Sequence, residues 1–272
     1  MTRCIRGLAL ACALPAIWFA APAVAAEELR IGGTGNALGT MRLVGEAFTA
    51  KNPDIKVTVL PSLGTSGAIK AVPKGAIGVG MSSRPLSAEE DKLGLVVFEY
   101  ARSPLVFAVS TKTTVTALTL DQIADIYNGK MVNWADGSQV RPVLRQTGDD
   151  NTRQIKDISP ALEKALSAAE QRPGLPYATT DQETADKTET IPGAISATTL
   201  SLIKSERRQL RALTLNGVEP TVANAASGKY PHVKHFYLVT TADPTAAAKR
   251  FIAFLQSPAG REILISAGNA IP

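Results

Sequence analysis

The sequence predicts an α/β protein built on a mostly parallel sheet, and two observations carry that expectation. A strand, a loop of small residues and a helix follow one another twice before position 85. Strand-like and helical segments then keep alternating to the end, with no long internal repeat that would suggest a solenoid.

Each element has its own signal. Residues 28–32 (Glu-Leu-Arg-Ile-Gly) read as a strand that runs into Gly33-Thr-Gly-Asn-Ala-Leu-Gly39. Leu38, Met41, Val44 and Phe48 then share one helical face, and Asn52-Pro53 stops that helix. Residues 55–60 alternate as a strand does. The loop Pro61-Ser-Leu-Gly-Thr-Ser-Gly67 follows, with a second helix from residue 68. Residues 76–81 form a further strand ending in Ser82-Ser83-Arg84-Pro85. Residues 95–110 are dense in Val, Leu and Phe, hence strand-forming. Residues 120–128 set Leu120, Ile123, Ile126 and Tyr127 on one side of a helix. Residues 141–144 make a strand that opens onto Arg145-Gln-Thr-Gly-Asp-Asp-Asn-Thr152, and residues 155–169 read as helical. Residues 171–189 are polar and partly irregular. Residues 235–240 form a strand, and residues 246–255 and 262–267 form helices.

The first stretch stands apart from the fold. Arg3 and Arg6 precede an apolar run over residues 8–21, and Ala23-Val-Ala25 supplies small residues for cleavage. This is the pattern of a secretory signal peptide over residues 1–26, its apolar core shorter than the roughly 20 residues a membrane span needs. A lipid-modified Cys12 is disfavoured by the better cleavage site downstream. Removal of the leader leaves about 246 residues, enough for one large domain or two lobes. It also takes both cysteines, Cys4 and Cys12, which excludes disulfides, thiol nucleophiles and thiolate metal sites from the remainder. The formal charge of +5 falls with Arg3 and Arg6, leaving 27 basic and 24 acidic side chains. They are spread out, with no basic block of the kind that binds nucleic acid or a membrane.

Three loops share one physical property: each is rich in Gly, Ser or Thr and hands a strand over to a helix. They are residues 33–38, which include Asn36, residues 64–67, and residues 148–152. Small residues let ligand oxygens approach the backbone, and the first N–H groups of a helix favour negative charge. Arg145, just ahead of the third loop, adds a planar charged donor. Catalytic patterns are poorer. His232 and His235 stand three apart, but Pro231 before them and a strand after them oppose a helical metal pair, and an edge or turn role is expected. There is no Gly-x-Ser-x-Gly elbow, and no Gly-Lys-Ser/Thr phosphate loop. Asp149 and Asp150, being adjacent, read as helix-capping or solvated side chains rather than as an acid–base pair.

At Leu118-Thr-Leu-Asp-Gln-Ile-Ala-Asp-Ile-Tyr-Asn-Gly-Lys130 and Asn133-Trp134 the chain resembles the phosphate-binding component of bacterial phosphate ABC transporters. The resemblance extends through Gly64-Thr-Ser-Gly-Ala-Ile-Lys70, Gly80-Met-Ser-Ser-Arg-Pro-Leu86, Ile191-Pro-Gly-Ala-Ile195, Leu215-Asn-Gly-Val-Glu-Pro220, Gly228-Lys-Tyr-Pro231 and Ser257-Pro-Ala-Gly260. It implies a type II periplasmic binding-protein fold, with a hinge between two lobes and a mostly parallel sheet in each. Residues 27–102 with 197–272 would form one lobe and residues 103–196 the other, the crossing strands lying near 101–103 and 194–197. It further implies a monomer without cofactor, metal or catalysis that captures a small oxyanion in the periplasm for an inner-membrane ABC permease. Capture of another solute, or docking on a membrane sensor, would leave a similar sequence. Carried over by position, ligand contacts fall on Ala37 and Leu38, Thr65 and Ser66, Ser83, Arg145, and Asp149, Asp150, Asn151 and Thr152.

Departures from the pattern fall on these positions. Phosphate binders of this kind carry Thr and Phe at Ala37 and Leu38, some carry an acid at Ser83, and they carry Ser-Gly-Thr at Asp149-Asp150-Asn151. A carboxylate about 4 Å from an anion costs roughly 4 kcal/mol at an effective dielectric near 20. Asp149 is therefore expected either to turn away from the ligand or to accept the proton of an oxyanion that bears one.

Overall fold

The computed structural model describes residues 26–272. The expected signal peptide, except Ala26, and both cysteines lie outside the described residues. The chain opens with β1 (Glu27–Gly33), α1 (Gly35–Lys51), β2 (Ile55–Val59), α2 (Gly64–Ala71) and β3 (Val79–Ser82). β1 pairs in parallel with β2 on one side and β3 on the other. These are the two β–α–β units read from the sequence, and Leu38, Met41, Val44 and Phe48 are buried on α1 as the spacing requires.

A short α3 (Ala88–Asp91), closed by a Ser87–Glu90 capping box, leads into β4 (Leu95–Ser110). Next come β5 (Ala117–Leu118), α4 (Leu120–Asn128), β6 (Arg141–Pro142), α5 (Asp150–Ile158), α6 (Pro160–Glu170), α7 (Asp181–Thr190) and β7 (Ala194–Thr199). The helix expected over residues 155–169 is broken at Ser159. That side chain accepts from the Leu162 N–H to cap α6, and Pro160 stands at its first turn. Proline lacks an N–H and disfavours helical geometry in the residue before it, so one periodic stretch becomes two helices. The chain closes with α8 (Leu200–Ser205), β8 (Leu210–Ala212), β9 (Thr214–Leu215), α9 (Val222–Ala226), β10 (Val233–Thr241), α10 (Ala246–Gln256) and α11 (Pro258–Ser266).

The strand order is β2-β1-β3-β10-β4-β7-β6, with β8 also on β4. The sheet is mixed rather than mostly parallel. β10 runs antiparallel to β3 and β4, and β4 runs antiparallel to β7 and β8. The reason lies in β4, which is long enough to serve two sheets. Its first part pairs with β10 up to Pro104, and from Leu105 onward it pairs with β7 and β8.

The result is a two-lobed α/β body with a core in each lobe. One core gathers Ile31, Met41, Phe48, Phe236 and Phe251. The other gathers Phe107, Ile123, Tyr127, Trp134, Leu162 and Ile195. Leu213, Leu215 and Tyr230 pack into the second of these, not the first, although the sequence boundaries place them with the first lobe. The Tyr230 hydroxyl fixes this return segment by donating to the Leu105 carbonyl at 2.8 Å.

Candidate functional site

Four helices begin around one cavity of about 250 Å³. Thr34 and Asn36 stand at the start of α1, Thr65 and Ser66 in the first turn of α2, Asp149, Asp150 and Asn151 at the start of α5, and Thr180 and Asp181 at the start of α7. The first N–H groups of each helix lack intrahelical partners, so four such ends concentrate donors and positive potential on one space. Arg145 and Lys234 complete the wall.

Arg145 is 9% exposed. Its guanidinium pairs with Asp149 and donates to Thr184 Oγ1 at 3.2 Å and Asp181 Oδ1 at 3.4 Å, while its buried Nε has no partner among the described residues. Asp149 spends both carboxylate oxygens within its own lobe. One oxygen meets Arg145, and the other accepts from the Asn151 N–H at 2.9 Å, capping α5.

Asp150 does the opposite and reaches toward the other lobe. Its Oδ2 accepts from Thr65 Oγ1 at 2.7 Å and from Ser83 Oγ, while its Oδ1 pairs with Arg153. The Ser83 N–H in turn donates to Thr65 Oγ1 at 3.0 Å.

Asn151 is a hub between lobes. Its Oδ1 accepts from Lys234 Nζ at 2.6 Å and from Asn36 Nδ2 at 3.3 Å, and its Nδ2 donates to Asp181 Oδ1 at 2.9 Å. Thr199 holds Asn36 from behind, its hydroxyl donating at 3.1 Å.

Burial sets the protonation tendencies here. It pushes the Asp181 carboxyl above its ordinary value against the pull of Arg145, with Asp149 adding to the rise. It draws the Lys234 ammonium down, opposed by the charges of Asp181, Asp150 and Asp149. Burial also acts to raise Asp150, but the Ser83 bond, the Lys234 charge and the Thr65 bond together carry it below its ordinary value. Arg145 thus faces carboxylates that already engage it, whereas the Lys234 ammonium is held by the amide oxygens of Asn151 and Gln154.

Of the residues singled out in the sequence, Asn36, Thr65, Ser66, Arg145, Asp149, Asp150 and Asn151 line this cavity. Ser83 stands behind Thr65, buried and bonded to Asp150. Ala37 and Leu38 do not reach the space. Each is 1% exposed and packs in the first lobe's core, because α1 already begins at Gly35 and the first turn aims them inward. Thr152 lines a separate small pocket behind Arg145.

Lys234 and Asp181 were missed. Lys234 occupies an inward position of β10, in phase with Phe236 and Leu238. A lysine on the apolar side of an alternating strand is the signal that would have found it. Asp181 follows Thr180, whose side chain accepts from the Glu183 N–H. Thr-x-x-Glu marks a helix start that the polar composition of residues 171–189 obscured.

His235 pairs through Nδ1 with Glu99 at 2.6 Å, away from the cavity, and His232 packs edge-on against Tyr230. Among the described residues no cluster of His, Cys, Asp and Glu has the makings of a metal site.

Comparison with known proteins bears on the family and the fold. A family profile described as "PBP superfamily domain" matches residues 20–259. The phosphate-binding protein PstS of Bacillus subtilis is 26% identical over 261 residues, covering 91% of this chain and 81% of the relative. Its namesake in Borreliella burgdorferi is 26% identical over 227 residues, covering 80% of each. A solved structure from Clostridium perfringens, described as a phosphate ABC transporter substrate-binding protein with bound phosphate, superposes with a TM-score of 0.77 at 25% identity. That match covers 90% of this chain and 100% of the other.

Proposed function

The chain belongs to the PBP superfamily domain family, and from that premise we propose that it is an exported binding protein that captures phosphate or a phosphate-like oxyanion between its lobes. It delivers that ligand to an inner-membrane ABC permease, works in the periplasm as a monomer, and catalyses no reaction. One lobe holds residues 27–104 and 233–272, the other the segment from β4 to β7 with the 210–230 return, and β4 and β10 pass through the junction.

The observation that carries this reading is the opposition of two donor sets across one cavity. Thr65, Ser66 and Asn36 stand on one side, and Arg145 with the start of α5 on the other, with Lys234 between them. Each wall alone offers half a coordination shell, so a ligand that uses both favours the closed form. Relatives named as phosphate-binding proteins, over most of the chain's length, support the ligand class.

Calorimetric titration of phosphate into ligand-stripped protein tests it. The wild type is expected to bind. Arg145→Ala is expected to lose roughly ten- to a hundredfold or more in affinity, the equivalent of one charged hydrogen bond. No heat and no thermal shift at millimolar phosphate would end the proposal.

A further inference from the structure

Among the described residues, Asp150 is the one carboxylate of the cavity whose hydrogen bonds leave its own lobe. Its Oδ2 accepts hydrogen bonds from the hydroxyls of Thr65 and Ser83, in the facing lobe. Both of these are hydroxyl donors of the kind that an oxyanion would use, and both are buried. The carboxylate is held in its charged form by those bonds and by Lys234. Chemically it is a tethered oxyanion seated on the donors of the facing lobe.

The neighbouring polar groups reinforce the same crossing. Asn36 donates to Asn151, and Gln182 on α7 donates to the Gly35 carbonyl and to Glu206, both at 2.9 Å. The Gln182–Glu206 bond and the Lys234–Asn151 bond are charge-assisted, as are the two hydroxyl bonds to Asp150, but only in Asp150 does an anionic oxygen sit on hydroxyl donors of the facing lobe. Arg153 and Lys234 offset part of the cost of bringing the charge into the cavity.

We propose that Asp150 is a built-in competitor and latch: in the empty protein its carboxylate stands in for a ligand oxygen on Thr65 and Ser83, and an incoming oxyanion must displace it. This rests on the oxyanion reading for its competitive half, whereas the latch half concerns the empty protein alone. Asp150 thereby sets the affinity of the site as well as the resting degree of closure. Ligand binding becomes an exchange of one anion for another on the same hydroxyls, with little net charge transferred into the cavity.

Two measurements on the full mature chain test it, with folding of each variant checked by circular dichroism. Small-angle scattering of phosphate-free protein is expected to show a larger radius of gyration for Asp150→Ala than for the wild type. Ser83→Ala, which removes one of the Asp150 partners in the facing lobe, should expand the protein in the same direction. Calorimetry with inorganic phosphate is expected to show Asp150→Ala binding roughly tenfold or more tightly than wild type, because two hydroxyl donors are released to the ligand. Unchanged scattering in both variants overturns the latch, and a fall in phosphate affinity for Asp150→Ala overturns the competition. Expansion of both variants, with phosphate bound by neither wild type nor Asp150→Ala, supports the latch while retiring the oxyanion reading.

Discussion

Replacing Lys234 with methionine removes a charge that the fold has buried completely, since the lysine side chain has no exposed surface. Its ammonium and the Asp181 carboxylate share the Asn151 amide, through contacts of 2.6 and 2.9 Å. For two unit charges bridged by one amide, a separation on the order of 6 Å corresponds to an attraction of about 3 kcal/mol at an effective dielectric near 20. Methionine matches the lysine stem in volume, so little of the effect comes from packing. The expected loss of stability is therefore about 3 kcal/mol at pH 7, from a buried carboxylate left with one cation fewer.

The loss should shrink at pH 5, and the sign follows from Asp181. Its folded carboxyl is already raised above the unfolded value of 3.8 by burial. A group raised in this way binds a proton more tightly when folded, so its ionisation costs stability as pH rises. Without Lys234 it rises further, and protonation relieves the unpaired charge by at most about 1.4 kcal/mol per pH unit. Urea unfolding of wild type and Lys234→Met at both pH values reads this directly. The double variant Lys234→Met with Asp181→Asn should recover most of the lost stability, since no buried charge is then stranded. A single variant as stable as wild type at pH 7, or a loss of equal size at pH 5 and pH 7, would refute the charge argument.

Other consequences are more local. Leu38→Ala should cost about 3 kcal/mol in chemical denaturation and leave phosphate affinity within a few-fold of wild type, since Leu38 belongs to the core and not to the cavity. Gly193 has φ +72°, and a Cβ there would run into the Gln139 carbonyl oxygen, so Gly193→Ala should lower stability by at least about 2 kcal/mol in the same assay. Glu90 is held at about 2 by its bond from Arg84, with the Ser87 N–H adding to the effect against burial. A carboxyl lowered in this way contributes stability above its unfolded value of 4.5, and that contribution is lost as pH falls toward 2. Glu90→Gln should accordingly be less stable than wild type at pH 6, with the gap closing near pH 2 in thermal melts.

How much of this was legible in the sequence varied with how local the cause was. The β1-α1-β2-α2-β3 run could be read because strand alternation and the Leu38–Phe48 stripe are signals within one element. The mixed character of the sheet could not, because strand direction depends on β4 crossing from one partner set to another, and nothing in residues 95–110 reports that. Ser159-Pro160 did carry a break signal, which the longer apolar period masked. In the site, helix starts led to Thr65, Ser66 and Asp149 to Asn151, and to Arg145 beside them. Ala37 and Leu38 came from position alone, and a start of α1 at Gly35 turned them inward. Lys234 was hidden by a different effect. Its partners Asn151 and Asp181 are distant in sequence, so the reason for burying its charge exists only once the lobes meet.

Crystals of the protein grown with phosphate test the central claim most directly. A tetrahedral density is expected in the cavity, within hydrogen-bond distance of Thr65 or Ser66 on one wall and of Arg145 on the other. A cavity empty at saturating phosphate, or density for a molecule of another kind, would contradict it.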